Sequence, residues 1–443
     1  MRIIVFLIFI LHLTNQLASA QVQLYPNQFR PSNQNWQQLK TDHFKIIYPA
    51  SSRYAAFRTA KILENEYHDI SSLIGGNLNN FRVILNAEND LSNGFVNPLN
   101  FRTEIELAPI KGKSLNPRSG DWLETVSPHE LVHAVHFNSK PKSLTNLVGL
   151  FSPDIRRSIH SAAPFGILEG VAVEYESHNH IHGSGRGNYP FFTNQFQSLL
   201  GTSDEWSMGQ LIHVSDFTFP FDRHYSGGYH FTHWLLENEG RDIMQKTIDH
   251  HYRWPFLGFG FALRQTTGKY PSQLYREFND EMRRREMLRR ASVLNHTDSV
   301  SKILSLQTEG TRASRPRWLD NNRILYYSRS YNSPTGFYIY DIEKNKDQLL
   351  KEVVLVEDIK YSLAEDKSAI YYGRYKTDLF FDNTMRSNIY KFDLKSGKST
   401  RITVHNDRIF APELSEERIY AVRTDVFENR PVILNRDNGS IIN

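Results

Sequence analysis

The feature that most limits the fold is a change of texture near residue 300. Before it, short strand-like runs give way to long stretches with helical spacing. After it, short strands rich in Tyr, Ile and Val take over. At 443 residues the chain is longer than one ordinary compact domain. Residues 43–48 and 81–85 read as strands. Residues 54–74 carry apolar side chains at helical spacing and stop before Gly75-Gly76. Residues 104–110 alternate apolar and polar, which predicts a third strand with one exposed face. A helix starts between Asp121 and Ser127, and from Pro164 to about Arg290 the spacing is mostly helical. Strands followed by helices predict an α+β domain.

Beyond Ser301 two patterns recur. Arg323-Ile324-Leu325-Tyr326-Tyr327 is echoed by Ala369-Ile370-Tyr371-Tyr372 and by Arg418-Ile419-Tyr420. Tyr338-Ile339-Tyr340-Asp341 is echoed by Ile389-Tyr390-Lys391-Phe392-Asp393 and, faintly, by Val432-Ile433-Leu434. A repeat of about 40 to 50 residues suits a four-stranded propeller blade. Residues 387–403 hold a strand ending in Asp393-Leu394, a Lys395-Ser396-Gly397 turn and an outgoing strand. This resembles the blades of TolB-like β-propellers; a β-sandwich is the alternative. About three blades fit, fewer than the four to eight of closed propellers. The expectation is an all-β, incomplete propeller, truncated or completed by another copy, with a surface for a protein partner.

Arg2, an apolar run over residues 3–13 and the triplet Ala18-Ser19-Ala20 describe a secretory signal peptide cut near Gln21. The run is shorter than the roughly 20 residues that span a bilayer, so no stable span is expected after cleavage. The expected destination is outside the cytoplasm, periplasmic or secreted. The chain has no cysteine, which excludes disulfides and thiol catalysis. With Lys+Arg 52 against Asp+Glu 48 and no block of one sign, charge does not point to nucleic acid or an anionic membrane.

The chemistry is concentrated in His129-Glu130-Leu131-Val132-His133. Residues four apart share one helix face, so both imidazoles can reach one ion, while Glu130 can touch a metal-bound water. Ser127-Pro128 could open this helix, which would make Glu130 a capping-box residue; alternatively Asp121 caps an earlier start. A third ligand His is not at position 139, which is Ser139, and His136 suits packing. The better third ligand lies in Leu168-Glu169-Gly170-Val171-Ala172-Val173-Glu174-Tyr175-Glu176, where Pro164 can open a helix and small Gly170 and Ala172 let it approach the first.

H-E-x-x-H followed by a helix with E-G-x-A resembles the gluzincin zinc metallopeptidases, in the style of the aminopeptidase N family. The resemblance implies zinc held by His129, His133 and Glu169; were Glu169 not the third ligand, Glu174 and Glu176 would be next in line. It implies Glu130 as general base and Glu176 as the carboxylate orienting a ligand imidazole. Tyr225-Ser226-Gly227-Gly228 resembles the family's Y-x-x-G helix, whose Tyr stabilises the oxyanion; this maps onto Tyr225, with His224 and Tyr229 as rival donors. Two imidazoles and a carboxylate leave a fourth position for water, whose pKa falls towards about 7. The resemblance divides the chain into a signal peptide (1–20), a linker (21–40), a gluzincin-like domain (41–295) and propeller blades (301–443), acting on a peptide or protein substrate. A non-peptide amide or ester hydrolase and an inactive, partner-binding relative of the cell envelope remain open. His178, His180 and His182 lie among Gly183, Gly185 and Gly187 and read as a solvated loop or a second metal site.

One family element is missing. The G-x-M-E-N segment, whose Glu binds a substrate's free amine, has no counterpart between Asn93 and Leu107. The chain is therefore expected to cut internally. A peptide and its N-acetylated form should be cleaved at comparable rates; strict dependence on the free amine would show the opposite specificity.

Overall fold

The structure, a computed structural model, describes residues 30–87, 89–112, 115–116, 121–140, 142–178, 183–214, 220, 222–294, 312–330, 332–358, 360–381, 384–403, 408–425 and 427–442. The predicted signal peptide, His180 and His182 lie outside the described residues. Among the described residues no helix is long and apolar enough to cross a membrane.

The N-terminal part is built on a five-stranded sheet of order β1-β2-β3-β5-β4. Its strands are β1 (Trp36–Lys40), β2 (Phe44–Pro49), β3 (Phe81–Asn86), β4 (Gly94–Asn97) and β5 (Arg102–Glu106). β2, β3 and β5 are parallel; β1 and β4 close the two edges antiparallel. β1 falls in the last residues of the predicted linker. Helix α1 (Arg53–Ile74) makes the crossover that parallel β2 and β3 require. It buries Ala56, Ala60, Leu63, Tyr67, Ile70 and Ile74. It ends where Gly75, in the left-handed region at φ 84°, donates its N–H to the Ser71 carbonyl.

The third strand differs from expectation. It runs Arg102–Glu106, and Thr103 to Glu106 are all buried. The alternation suggested an exposed face because two of its residues are glutamates. Their carboxylates are instead paired inside: Glu104 accepts from Arg30, from Arg102 Nε at 2.7 Å and from Asn86 Nδ2 at 3.3 Å, and Glu106 also accepts from Asn86 at 3.3 Å. Paired charge tolerates burial that lone charge does not.

The helical part is organised by α2 (Trp122–Phe137), α3 (Phe165–His178), α4 (Arg223–Asn238) and α5 (Ile243–Arg253), with shorter helices between and a long closing helix, α6 (Pro271–Leu294). Every residue of α2 but Glu124 is buried, so it is a central helix with no solvent stripe. Asp121 caps it, accepting from Leu123 N at 2.8 Å, and Pro128 lies inside it. Gly170 of α3 serves a different neighbour from the one expected. A Cβ on Gly170 would stand 2.4 Å from the Gly228 carbonyl oxygen, so Gly170 sets the approach of α3 to α4 rather than to α2.

From Arg312 onward the chain forms three separate antiparallel sheets: β6 to β9 (Arg312–Trp318, Arg323–Arg329, Gly336–Asp341, Lys346–Glu352), β10 to β13 (Tyr361–Leu363, Ala369–Thr377, Met385–Asp393, Ser399–Arg401) and β14 to β16 (Ile409–Ser415, Arg418–Thr424, Asn429–Asn435). Each is a meander in sequence order, and none closes on itself among the described residues. The first recurring pattern lies on β7, β11 and β15, the second on β8, β12 and β16, and each such pair is hydrogen-bonded. Overall the protein is mixed α and β with several small sheets. Leu325, Tyr327, Phe337, Ile370 and Tyr372 form one core between the first two sheets; Tyr371, Ile389, Ile409, Ile419 and Leu434 form another between the second and third. Buried Asp90, after β3, ties these sheets to the N-terminal part by accepting from Met385 N at 3.0 Å and Arg408 Nε at 2.5 Å.

Buried imidazoles make this fold acid-sensitive. His160 stacks on Tyr252 with centroids 3.5 Å apart. Burial lowers the pKa of His160 to about 3, and those of His230 and His251 to about 4. All three stay neutral in the folded chain but protonate near pH 6.5 when unfolded. Below pH 6.5 the unfolded state binds protons the native state refuses, so stability present at neutral pH is lost as pH falls towards 4. Each histidine contributes about 1.4 kcal/mol per pH unit in that window. The melting temperature should drop steeply between pH 6.5 and 4.5; a flat profile over that interval would contradict this account.

Candidate metal centre

The two histidines of the H-E-x-x-H motif lie one turn apart on α2, and α3 delivers Glu169 opposite them. His129 Nε2 stands 3.2 Å from His133 Nε2 and 3.2 Å from Glu169 Oε2; His133 Nε2 stands 3.5 Å from the same oxygen. Donors about 2.0–2.2 Å from a tetrahedral zinc stand roughly 3.3–3.6 Å from one another. The observed triangle is close to that size, and its three residues are all buried. Glu169 Oε2 has no hydrogen-bond partner, although it is buried. A buried, unpaired carboxylate oxygen facing two imidazole nitrogens is a costly arrangement unless a cation completes it. The donor set therefore fits zinc.

The other ring nitrogen of His129 faces Glu176, with Nδ1 and Oε2 3.0 Å apart. Donation from Nδ1 to this carboxylate turns the lone pair of Nε2 into the triangle. Glu176 is itself gripped by Arg186, whose backbone N and Nε both donate to Oε1 at 2.9 Å while a terminal guanidinium nitrogen donates to Oε2 at 3.2 Å. The same guanidinium lies over the Tyr225 ring, 4.9 Å from its centroid.

Electrostatics follow from this packing. Burial opposes ionisation of Glu176, but Arg186 and His129 hold its pKa down at about 2. Burial likewise opposes the Glu169 carboxylate, and the two imidazoles hold its pKa well below the usual range. Burial and Arg186 both oppose an imidazolium at His129, yet Glu169 and Glu176 outweigh them and raise it to about 9. The cluster thus favours positive charge, which a divalent ion held by these three residues would supply in place of that proton. Burial raises the pKa of Glu130, with the two imidazoles pulling the other way. A carboxylate so raised is better matched to moving protons near neutral pH.

Glu130 is in the interior of α2, eight residues beyond Trp122, so the capping-box alternative is discarded. Its Oε2 is buried without a hydrogen-bond partner, and it faces a cleft of about 200 Å³. The opposite wall is Ser92 to Val96, running into edge strand β4. A Cβ on Gly94 would stand 2.8 Å from Glu130 Oε1, so glycine is what lets the strand pass over this carboxylate.

The other sequence candidates separate cleanly. Tyr225 lines the cleft with His129, His133, Glu169 and Glu176. His224 is buried beside Phe165, and Tyr229 packs with Val173 and Phe192; neither is among the cleft's lining residues. His136 is fully buried near Tyr252 and belongs to the core. Glu174 and His178 lie outside the cleft, on another part of α3. Arg186 was missed. It lies ten residues after its partner Glu176, a spacing that carries no local signal of their contact.

No protein-family model matches the chain, and no curated protein matches it. Among solved structures, native yeast LTA4 hydrolase is similar at 12% identity over 56% of this chain and 38% of that one, with a TM-score of 0.28. A prolyl endopeptidase is similar at 12% identity over 30% and 21%, with a TM-score of 0.24. The tricorn protease is similar at 12% identity over 28% and 18%, with a TM-score of 0.21. The chain spans well under half the length of each, and likenesses this slight assign neither fold nor activity.

Arg186→Gln should weaken zinc binding by about 10- to 100-fold, because Glu176 then loses the group that fixes it against His129. Competition with a graded chelator measures this. Unchanged affinity would mean that Glu176 is oriented without Arg186.

Proposed function

We propose that the chain is an exported zinc-dependent peptidase of the gluzincin type, cutting peptide bonds within its substrates. The observation that carries this reading is the buried triangle of His129 Nε2, His133 Nε2 and Glu169 Oε2 beside the unpaired Glu130 carboxylate. A zinc ion held there would supply a Lewis acid and an acidified water.

The chain's own residues do the rest. Glu130 takes the proton of the attacking water and returns it to the leaving amine. Tyr225, on the cleft wall, donates its hydroxyl to the developing oxyanion. Arg186 over the Tyr225 ring and on Glu176 couples the positions of the donor and of His129. An extended peptide laid along β4 would extend the sheet by one strand, its scissile bond presented to Glu130. Among the described residues lining the cleft, the carboxylates are Glu130, Glu169 and Glu176. All three belong to the metal centre, which leaves none to bind a free N-terminal amine and favours internal cleavage.

In the same reading residues 1–20 are a signal peptide, 21–40 a linker, 41–295 the peptidase domain and 301–443 blades of a TolB-like β-propeller. Consecutive meanders that share cores face to face support the blade assignment. Their attachment at Asp90, four residues before Gly94, supports a role for them in presenting a protein partner or substrate to the cleft.

Glu130→Gln preserves shape and hydrogen bonding but cannot accept a proton. It should retain zinc and bind peptide while turnover falls by about 100- to 10,000-fold. Tyr225→Phe should retain zinc and lose about 100- to 1,000-fold. Zinc content and peptide cleavage measured on the same preparations decide the matter. Full activity in Glu130→Gln, or no chelator-sensitive cleavage in the wild type, would remove the peptidase reading.

A further inference from the structure

The pair α3 and α4 carries a second convergence of donors, apart from the cleft. Gly166 packs against the His224 carbonyl and Gly170 against the Gly228 carbonyl, so the two helices run parallel in a fixed register. One turn further on, that register brings Glu174 of α3 to His233 of α4. Glu174 Oε1 stands 3.2 Å from His233 Nδ1 and 3.2 Å from His178 Nδ1, and Glu174 Oε2 stands 3.1 Å from His233 Nδ1. Glu174 and His178 lie four apart on one helix face. The two imidazoles stack with centroids 4.9 Å apart, and Tyr229 stacks behind His233 at 5.8 Å.

The surroundings repeat the plan of the first centre. There, one carboxylate oxygen faces two imidazole nitrogens, the far nitrogen of one ring meets a second carboxylate, and an arginine holds that carboxylate. Here, Glu174 faces two rings, His233 Nε2 lies 3.3 Å from Glu237 Oε1, and Arg285 donates to Glu237 Oε2 at 3.2 Å. A carboxylate on the outer nitrogen of an imidazole is the usual support of a metal-binding histidine. A simple ion pair between Glu174 and one histidine requires neither the second ring nor the Glu237–Arg285 support.

We propose that Glu174, His178 and His233 form a second site for a divalent transition metal such as zinc, supported by Glu237. Two imidazoles and one carboxylate favour zinc, copper or nickel over calcium or magnesium, which prefer all-oxygen sites. His178 is 45% exposed at its side chain and His233 26%, so this ion exchanges with solution more readily than one held in the buried triangle. It clamps α3, which carries Glu169 and Glu176, to α4, which carries Tyr225. Its role is to brace the helix pair behind the cleft rather than to act on substrate.

Equilibrium dialysis of the full chain against zinc sulfate, with metal counted by atomic absorption, tests this. The wild type should take up two zinc ions and His178→Gln/His233→Gln one, with the remaining ion lost on His133→Ala. Glu237→Gln, a change at a solvent-facing residue, should keep two sites but weaken one by about 10- to 100-fold. A double variant that takes up as much zinc as the wild type overturns the proposal. If the double variant does not fold, as judged by circular dichroism, unchanged affinity in Glu237→Gln overturns it instead. Loss of the ion at His133 alone bears on the peptidase reading and leaves the second site standing.

Discussion

Buried charge is the constraint on which this structure turns. α3 carries Glu169 and Glu176 into the interior, where each desolvated carboxylate costs several kcal/mol unless it is compensated. Glu176 is compensated within the chain, by Arg186 and the inner nitrogen of His129. Glu169 has only the imidazoles: its Oε2 faces His129 Nε2 and His133 Nε2 and no other group of the chain bonds it. The difference separates a positioning group from a ligand. The first carboxylate is held by the chain itself; the second, under the proposed reading, would be completed by an ion.

Bringing these groups together requires backbones to approach more closely than ordinary side chains allow. α3 lies against α4 through Gly166, Gly170 and Gly228, and the edge strand passes over Glu130 at Gly94. The same close packing fixes the register of α3 and α4 along their length. One register therefore sets both the position of Tyr225 relative to Glu169 and that of His233 relative to Glu174. At the other side of the cleft, Asp90 joins the loop leading to β4 to the C-terminal sheets through Arg408 and Met385.

Much of the site was legible because its signals are local. An i, i+4 pair of histidines faces one way on any helix, and the glycine stop after Ile74 and the strand pairs rich in Tyr and Ile are short-range patterns as well. The start of α2 was less legible because the helix is buried all round, which removes the stripe that marks a boundary. The exposure of β5 was misjudged for a related reason. Glu104 and Glu106 look like surface residues until Arg30, Arg102 and Asn86 are seen to pair them, and two of those partners lie on other segments.

By itself the sequence determined the residue types, the two imidazoles on one helix face and the order of helical and strand-rich parts, since these follow from bond geometry over a few residues. Tertiary structure alone decided that Glu169 Oε2 reaches both imidazoles, that Arg186 folds back onto Glu176, that Tyr225 rather than His224 or Tyr229 lines the cleft, and that Glu174 meets His233. Each of these is a distance between groups far apart in the chain, and such distances are set by how closely and in what register the helices pack.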